Sequence, residues 1–261
     1  MDVLIVKDYE GMSECAADIV VRAMREKPDL VLGLATGSTP EGLYRDLIKA
    51  HKEDGVDFSP VVSFNLDEYV GLGPDHPQSY RYFMNEKLFD HINIKPENTH
   101  VPDGMAESLR RYCAEYENMV DEAGGIDLQV LGVGRDGHVA FNEPGTSLGS
   151  RTHVTGLTRE TIEDNSRFFD SPDEVPRFAV TMGIGSILDA RKCLLLASGA
   201  NKADAVRAAI EGPVTSAITA SALQLHPDTV AIVDEAAAAR LERADFYRWQ
   251  QENWGLIADR L

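Results

Sequence analysis

Short aliphatic runs alternate with longer amphipathic stretches along most of the chain. The runs have the length of strands and carry few charges, which favours strands buried on both faces. We predict strands at Val3–Val6, Leu30–Ala35, Val61–Asn65, Leu128–Gly132, Phe178–Thr181, Lys192–Ala197 and Val230–Val233. Between them, apolar residues recur every three or four positions. This spacing predicts helices at Ser13–Arg25, Gly42–Lys52, Ser79–Phe89, Met105–Glu122 and Lys202–Ile210.

Strands that alternate with helices in this way predict an α/β fold with a mainly parallel sheet and helices on both of its faces. The sequence contains no internal repeat, low-complexity tract or Gly/Ser linker, which favours one domain over residues 1–261. Open sheets of this class bind their ligands at the carboxyl ends of the strands. The segments that directly follow predicted strands are therefore the places to search for chemistry.

The chain carries 43 acidic residues against 25 basic ones, a formal net charge of -18. A surface this negative repels nucleic acids and anionic lipids. Leu30–Ala35 is among the longest aliphatic runs and is far shorter than the ~20 residues that span a bilayer. The start of the chain lacks the features of a signal peptide, and Cys15, Cys113 and Cys193 are too widely separated to indicate a disulfide framework. We therefore expect a cytoplasmic protein with neither nucleic-acid nor membrane partners.

The segment Thr36–Thr39 follows a predicted strand and precedes a predicted helix. Gly37 allows a tight turn, and the hydroxyl groups of Ser38 and Thr39 can donate hydrogen bonds. The N-terminus of a helix offers free N–H groups that bind anions. This loop is therefore either a phosphate-binding loop or an ordinary helix N-cap, and both interpretations stay open.

Asp67 and Glu68 follow the predicted strand Val61–Asn65. Adjacent side chains on an extended chain point in opposite directions, so only one of the two carboxylates can face a crevice. Asp67 is the candidate for a base positioned over a substrate carbon. The alternative is an aspartate that caps a turn, and these residues taken alone favour that alternative.

The segment GVGRDGHVAFNEP brings Asp136, His138 and Glu143 together among three glycines. An imidazole that a carboxylate orients can exchange protons with a substrate, so this composition is typical of a proton relay. A metal site is one alternative, although no second histidine or cysteine stands at ligand spacing. A structural turn is the other, but a turn does not explain why acid, imidazole and glycines are concentrated here.

Two cations are candidates for binding a phosphate group. Arg167 precedes two phenylalanines, and Lys202 opens a predicted helix after a glycine. An anionic substrate of so acidic a protein needs local positive charge of this kind. The alternative is that each is a solvated surface charge.

Taken together, these segments resemble the glucosamine-6-phosphate deaminase family. The resemblance runs in order through ATGSTPEGLY, FNLDEYVGL, GVGRDGHVAFNEP, SRT, NSRFF and GANK, and so covers nearly the whole chain. It implies a Rossmann-like fold related to ribose-5-phosphate isomerases and CoA-transferases. It also implies a hydrolase of N-acetylglucosamine and amino-sugar catabolism, which converts glucosamine 6-phosphate and water to fructose 6-phosphate and ammonia without metal or cofactor.

The resemblance also implies roles for particular residues. Asp67 corresponds to the base that moves a proton between C2 and C1 of the open-chain sugar. His138, completed by Asp136 and Glu143, corresponds to the group that opens the pyranose ring. The positions that correspond to the phosphate site are Gly37, Ser38, Thr39, Arg167 and Lys202.

Two other functions compete with this one. The 6-phosphogluconolactonases carry a related Gly-x-Asp-Gly-His segment, but Phe141–Pro144 and Asp67–Tyr69 resemble the deaminases. A sugar-phosphate sensor without catalysis, as in some transcription regulators, is disfavoured because neither a helix-turn-helix segment nor a basic patch accompanies the proposed acid–base residues.

Regulation is the point at which this sequence departs from part of the family. Some members are hexamers that N-acetylglucosamine 6-phosphate activates at a second site, through an arginine and a lysine shortly after the Ser-Arg-Thr segment. Here Ser150–Thr152 is followed by His153 and Thr155, which replace two fixed positive charges with an imidazole and a hydroxyl group. We therefore predict hyperbolic kinetics with little or no activation. A homo-oligomer is compatible with the family, which contains monomers and hexamers.

Overall fold

The computed structural model describes residues 1–169 and 171–253. The strands are β1 (Asp2–Val6), β2 (Val31–Leu34), β3 (Val62–Asn65), β4 (Asp67–Tyr69), β5 (Thr99–His100), β6 (Leu128–Gly132), β7 (His153–Gly156), β8 (Phe178–Thr181), β9 (Lys192–Ala197) and β10 (Thr229–Asp234). The α-helices are α1 (Tyr9–Glu26), α2 (Glu41–Asp54), α3 (Tyr80–Lys87), α4 (Leu109–Glu122), α5 (Arg159–Asn165), α6 (Ile184–Leu188), α7 (Ala203–Ile210) and α8 (Ala244–Asn253). Short 3-10 helices at Ser166–Phe168 and Ala200–Lys202 carry two of the candidate site residues.

A seven-stranded parallel sheet forms the centre of the molecule, in the order β1-β10-β9-β6-β2-β3-β5. From β2 the sheet grows through β3 to β5, and from β6 it grows the other way through β9 to β10. The direction of growth therefore reverses between β2 and β6, and the loops that follow these two strands diverge. A crevice at such a reversal is where open α/β sheets bind their ligands.

Helices cover both faces of this sheet, as predicted. Along β9, Leu194 and Leu196 pack into a core formed with α1, α2 and α3. The alternating residues Cys193 and Leu195 pack into a second core formed with α4, α6 and α7. Side chains of a strand alternate between its two faces, so one aliphatic strand feeds both cores. Each fully buried aliphatic side chain contributes about 1.5–3 kcal/mol of transfer free energy.

A second, three-stranded antiparallel sheet, β4-β8-β7, was not predicted from the sequence. The predicted strand Phe178–Thr181 exists as β8, but it lies in this sheet and not in the parallel one. Thr181 pairs with Asp67 on one side and with His153 on the other. The small sheet therefore fixes the backbone of Asp67 from an element far away in the sequence.

The helix boundaries differ from the predicted ones by a few residues. The clearest difference is α4, which begins at Leu109 and not at Met105. The Asp103 carboxylate accepts a hydrogen bond from the Met105 backbone N–H at 2.8 Å, which holds this residue in a turn before the helix. Within the described residues, no helix has the length and apolar character needed to cross a membrane.

Candidate active site

One cleft opens at the carboxyl ends of β2, β3, β6 and β9, which are neighbours in the parallel sheet. Its volume is about 380 Å³. The structure brings most of the candidate site residues into the wall of this cleft: Gly37, Ser38, Thr39, Asp67, His138, Arg167 and Lys202. Asp136 and Glu143 complete the group from behind His138, whose imidazole both carboxylates approach.

The loop after β2 is held in place by two tyrosines. The Tyr9 hydroxyl donates to the backbone carbonyl of Ser38 at 2.9 Å and accepts from the backbone N–H of Gly42 at 2.7 Å. The Tyr44 hydroxyl donates to the carbonyl of Ala35. Gly37 has a φ of 88°, a left-handed conformation that favours glycine. The loop is thus fixed from outside, and its hydroxyl-bearing side lines the cleft.

Asp67 is one of the two deeply buried carboxylates of the candidate acid–base group; 6% of its surface is exposed, as is 6% of the surface of Glu143. It begins β4, directly after the turn that ends β3. Burial, followed by the charge of Glu68, raises the pKa of the Asp67 carboxyl to about 8. Both effects disfavour the ionised form, so this group holds a proton far more strongly than an ordinary aspartate does.

Glu68 points away from the cleft, in agreement with the prediction that only one of the two adjacent carboxylates faces it. Its carboxylate accepts hydrogen bonds from the backbone N–H groups of Tyr69 and Tyr80 at 2.9 Å and of Arg81 at 3.0 Å. Tyr80 and Arg81 form the first turn of α3. Burial raises the pKa of Glu68 to about 7, although these three hydrogen bonds act in the opposite direction. Glu68 therefore ties the strand of Asp67 to helix α3.

Asp136 and His138 contact one another across a tight glycine turn. The Nδ1 atom of His138 lies 2.7 Å from Asp136 Oδ1, which also accepts the backbone N–H of His138 at 3.2 Å. A Cβ atom on Gly134 would lie 2.5 Å from the imidazole, so this contact requires glycine there. Partial burial acts to raise the pKa of Asp136, but the contacts with His138 outweigh it, and the pKa falls below its ordinary value.

Glu143 approaches the same imidazole nitrogen as Asp136 does. Its Oε2 lies 3.7 Å from His138 Nδ1. Its carboxylate also accepts the backbone N–H of Thr158 at 3.0 Å and the Thr158 hydroxyl at 3.3 Å. Thr158 is the N-cap of α5, so Glu143 connects the imidazole to this helix. The neighbouring Asn142 is fully buried and donates to the carbonyls of Val139 and Met182, which anchors the segment.

The same three side chains are the ones that could hold a metal ion. Asp136, His138 and Glu143 each offer one ligand atom, and these atoms lie within 4.8 Å of one another. Two carboxylates and one imidazole can bind a divalent cation. The same carboxylates can instead orient the imidazole for proton transfer. The geometry is compatible with both interpretations, and a chelation experiment separates them.

Positive charge collects at the end of the cleft formed by the loops after β6 and β9. The ammonium group of Lys202 donates to the carbonyl of Val133 at 2.8 Å. Burial lowers the pKa of Lys202; the charge of Asp164 raises it, and those of Arg135 and Arg167 lower it further. Arg135, Arg167 and Lys202 therefore share one neighbourhood, and all three line the cleft.

A group of aromatic residues in the wall of the cleft was missed in the sequence. The rings of Tyr69 and Tyr80 lie 4.9 Å apart between centroids, Tyr80 stacks on Phe141 at 6.0 Å, and Phe169 meets Tyr69 edge-on at 5.9 Å. All four line the cleft. Three of them stand inside motifs quoted above, but an aromatic residue beside a strand is more often part of a core. Position inside a motif was therefore the signal that could have assigned Tyr69, Phe141 and Phe169 to the cleft. Tyr80 lies outside the motifs, so the sequence carried no such signal for it.

Comparisons with known proteins find relatives that match most of the chain. A family model described as glucosamine-6-phosphate isomerases/6-phosphogluconolactonase matches residues 9–232. A glucosamine-6-phosphate deaminase of Clostridioides difficile is 56% identical over 94% of this chain and 99% of its own length. A second, from Cellvibrio japonicus, is 55% identical over 100% of this chain and 99% of its own length.

Solved structures give the same picture. A protein described as a monomeric glucosamine-6-phosphate deaminase superposes with a TM-score of 0.91 and 48% identity, over 92% of this chain and 100% of its own. The 6-phosphogluconolactonase of Leishmania guyanensis superposes with a TM-score of 0.72 at 21% identity, over 91% of this chain and 97% of its own. The second likeness extends to the fold alone.

Proposed function

The chain belongs to the family of glucosamine-6-phosphate isomerases and 6-phosphogluconolactonases, and on this premise we propose that it converts glucosamine 6-phosphate and water to fructose 6-phosphate and ammonia. The deaminase reaction is favoured over lactone hydrolysis because the deaminase relatives share more than half of the sequence, whereas the lactonase shares 21%. The observation that carries the proposal is the meeting of a buried carboxylate, an oriented imidazole and several cations in one cleft.

Asp67 is the base of the isomerisation in this proposal. In the open-chain sugar the C1 aldehyde acidifies the proton on C2, and Asp67 moves that proton from C2 to C1. The nitrogen gives up one proton and O1 gains one, so C1 becomes a hydroxymethyl group and C2 becomes an imine, which water hydrolyses to the ketone and ammonia. A carboxylate whose pKa is raised to about 8 is a stronger base than an ordinary aspartate. Its pKa lies near the working pH, where general catalysis is most effective.

Ring opening needs a second acid–base group, because it acts on O1 and the ring oxygen and not on C2. The Nδ1 side of His138 is occupied by Asp136 and Glu143. The other nitrogen, Nε2, is therefore the one that takes the proton from the O1 hydroxyl group, while the ring oxygen gains a proton. The two carboxylates stabilise the positive charge that forms on the imidazole.

The phosphate group of the substrate occupies the positive end of the cleft in this proposal. Arg167 and Lys202 supply charge, and the loop Gly37–Thr39 supplies hydroxyl and backbone donors at the start of α2. Binding at the far end of the sugar fixes C1 and C2 relative to Asp67 and His138. Remote binding energy of this kind lowers the barrier at the reacting atoms.

We extend the proposal to the whole chain: residues 1–261 act as one cytoplasmic domain, without cofactor or metal. The contribution of strands to one sheet from Asp2 to Asp234 supports a single domain. We also propose that the parallel sheet is related to those of ribose-5-phosphate isomerases and CoA-transferases. A likeness to a structure described as monomeric favours a monomer over the larger assemblies of the family.

An ammonia-release assay tests the proposed reaction. Glucosamine 6-phosphate should yield ammonia and fructose 6-phosphate, unphosphorylated glucosamine should react far more slowly, and 6-phosphogluconolactone should not be hydrolysed faster than in buffer. Exhaustive chelation should leave the rate unchanged. Hydrolysis of the lactone without ammonia release would overturn the proposal. Loss of activity on chelation, restored by one divalent ion, would assign Asp136, His138 and Glu143 to a metal site.

A further inference from the structure

Arg135 is a cation of the cleft to which the reaction proposed above assigns no role. It stands between Gly134 and Asp136, on the loop that positions His138, and it lines the same cleft as Arg167 and Lys202. Burial is the largest cause of the lowered pKa of Lys202, and the charge of Arg135 lowers it further. Arg135 and Lys202 thus line one cleft and interact through their charges.

The guanidinium of Arg135 is held by Asp164 through two contacts. Its Nε lies 2.8 Å from Asp164 Oδ2, and a second nitrogen contacts Oδ1. Asp164 lies on α5 and also lines the cleft. Single ion pairs at this degree of exposure contribute little stability. A two-point contact, however, fixes the plane of a guanidinium, and a phosphate oxygen pair can accept the same fork of donors.

Helix α5 has an attachment to the site besides this ion pair. At its N-terminus, Thr158 donates its backbone N–H and its hydroxyl group to Glu143. Along its exposed side, Arg159 pairs with Glu163 at 2.9 Å. The contact between Arg135 and Asp164 can therefore open while the helix stays in place. A phosphate dianion carries more negative charge than one carboxylate and competes with Asp164 for the arginine.

We propose that Arg135 is a specificity-determining residue of the cleft, which Asp164 holds ready and which donates to the phosphate group of the bound substrate. This inference rests on the proposed function, because it concerns the phosphate end of the same site. It adds to that function an opposition between two side chains: Arg135 attracts the anion, and Asp164 opposes it. If the ion pair had a purely structural role, removing either partner would break it, and both substitutions would change phosphate affinity in the same direction.

Titration calorimetry with inorganic phosphate separates these two cases. Arg135→Gln should weaken phosphate binding by about ten- to a hundredfold, the size of a charge-assisted contact. Asp164→Asn should leave binding unchanged or tighten it, because it frees the arginine and removes a negative charge. Arg135→Lys, which keeps the charge but not the fork, should recover part of the loss. Arg159→Gln is the matched control on α5 and should change nothing.

The same variants should show the effect in turnover, as a raised KM for glucosamine 6-phosphate in Arg135→Gln with little change in kcat. Equal losses of phosphate affinity in Arg135→Gln and Asp164→Asn would overturn the inference, as would unchanged affinity in Arg135→Gln. The calorimetry requires no turnover, so its result is independent of the reaction. A wild-type protein that binds phosphate but releases no ammonia would overturn the proposed function and leave the role of Arg135 standing.

Discussion

The two acid–base regions of the cleft use the same side chain in opposite environments. Asp67 is buried beside another carboxylate, and its pKa rises to about 8. Asp136 is partly exposed and contacts an imidazole, and its pKa falls below the ordinary value. One aspartate is therefore poised to exchange a proton near neutral pH, while the other stays ionised. The comparison shows that environment, and not residue type, sets the two pKa values apart, as the two proton-transfer tasks of the proposed reaction require.

The backbones that carry these two aspartates are also held in different ways. Asp67 lies on β4, which pairs with β8, so its position is fixed by a strand distant in sequence. Asp136 lies on a loop whose shape depends on Gly134 and on Gly137, which has a φ of 87°. The carboxylate of Asp67 becomes more basic because its buried strand removes it from water. The carboxylate of Asp136 contacts His138 because the glycine turn brings the two side chains together.

Asp67→Asn should cause the largest effect, because it removes the proposed base and keeps the shape of the side chain. We expect kcat/KM for ammonia release to fall by about 10²–10⁴-fold, or about 3–5 kcal/mol. Binding of a competitive sugar-phosphate inhibitor should be unchanged, since the phosphate end is untouched. Near-normal turnover in a correctly folded variant would falsify the assignment. Glu68→Gln is the control for the neighbouring carboxylate, and its loss of activity should be smaller because Glu68 faces α3.

His138→Gln should break the other region selectively. Turnover of the cyclic sugar should fall by about 10²-fold, because ring opening loses its acid–base group. Substrate presented already open should be much less affected, since Asp67 is intact. Stopped-flow measurement with both forms of the sugar checks this difference. If both forms slow equally, His138 has a structural role or acts in a later step.

In the proposed function both regions depend on the same phosphate end, so its cations should affect them together. Neutralising Arg167 or Lys202, as Arg167→Gln or Lys202→Gln, should raise KM for glucosamine 6-phosphate by about ten- to a hundredfold. The slow reaction of unphosphorylated glucosamine should not change, because it makes no use of these charges. An unchanged KM in both variants would return Arg167 and Lys202 to the class of surface charges.

The sequence predicted the parallel sheet and the gathering of the site, but not the small sheet or the rest of the cleft wall. Residues after β2, β3, β6 and β9 meet because carboxyl ends of parallel strands share one edge, which pattern alone reveals. The strand Asp67–Tyr69 has no aliphatic run, and it forms because β8 lies beside it. In the sequence, Arg135 beside a glycine cannot be told from an ordinary surface arginine. Its contact with Asp164, which only the folded structure shows, distinguishes it.

Stability should respond to pH in opposite directions at the two aspartates. The stability that protonated Asp67 contributes is present below its unfolded pKa, near 3.9, and is lost as pH rises through about 8. Asp67→Asn should therefore raise Tm more at pH 9 than at pH 5. Asp136 has a lowered pKa, so its contribution is present above its unfolded pKa and is lost in acid. Asp136→Asn should lower Tm at pH 7, and this effect should shrink as the pH falls into the acid range.

One pKa unit is about 1.4 kcal/mol and 1 kcal/mol moves Tm by roughly 2–4 °C in a chain of this size, so the rise of the Asp67 pKa to about 8 should change Tm by on the order of ten degrees between pH 5 and pH 9. Differential scanning calorimetry of the wild type and the two variants from pH 3 to pH 9 provides the measurement. Curves for Asp67→Asn and the wild type that run parallel across this range would show that Asp67 titrates at its ordinary value. The contrast between the two regions would then disappear.

For N-acetylglucosamine 6-phosphate we expect no effect on the kinetics. The reason lies in a second cavity, near the Ser-Arg-Thr segment. This cavity, of about 270 Å³, is lined by Arg151 together with the carboxylates Glu117, Asp121 and Asp189. Arg151 lies 2.6 Å from Glu117 and also contacts Asp189, so its charge is already matched. As at His138, a basic side chain here lies between carboxylates. The cluster of cations at Arg135, Arg167 and Lys202 has a different charge balance. A phosphate dianion here would meet more carboxylates than cations.

An effector without a preferred state cannot shift a conformational equilibrium. We therefore expect hyperbolic substrate curves and the same kinetic constants with and without N-acetylglucosamine 6-phosphate. Steady-state kinetics over a range of effector concentrations checks this, with ultracentrifugation to establish the oligomeric state under the same conditions. Sigmoidal curves that become hyperbolic on adding the effector would contradict the prediction. Glu117→Gln with Asp189→Asn supplies the complementary test, because it releases the charge of Arg151 and should allow an anion to bind where the wild type binds none.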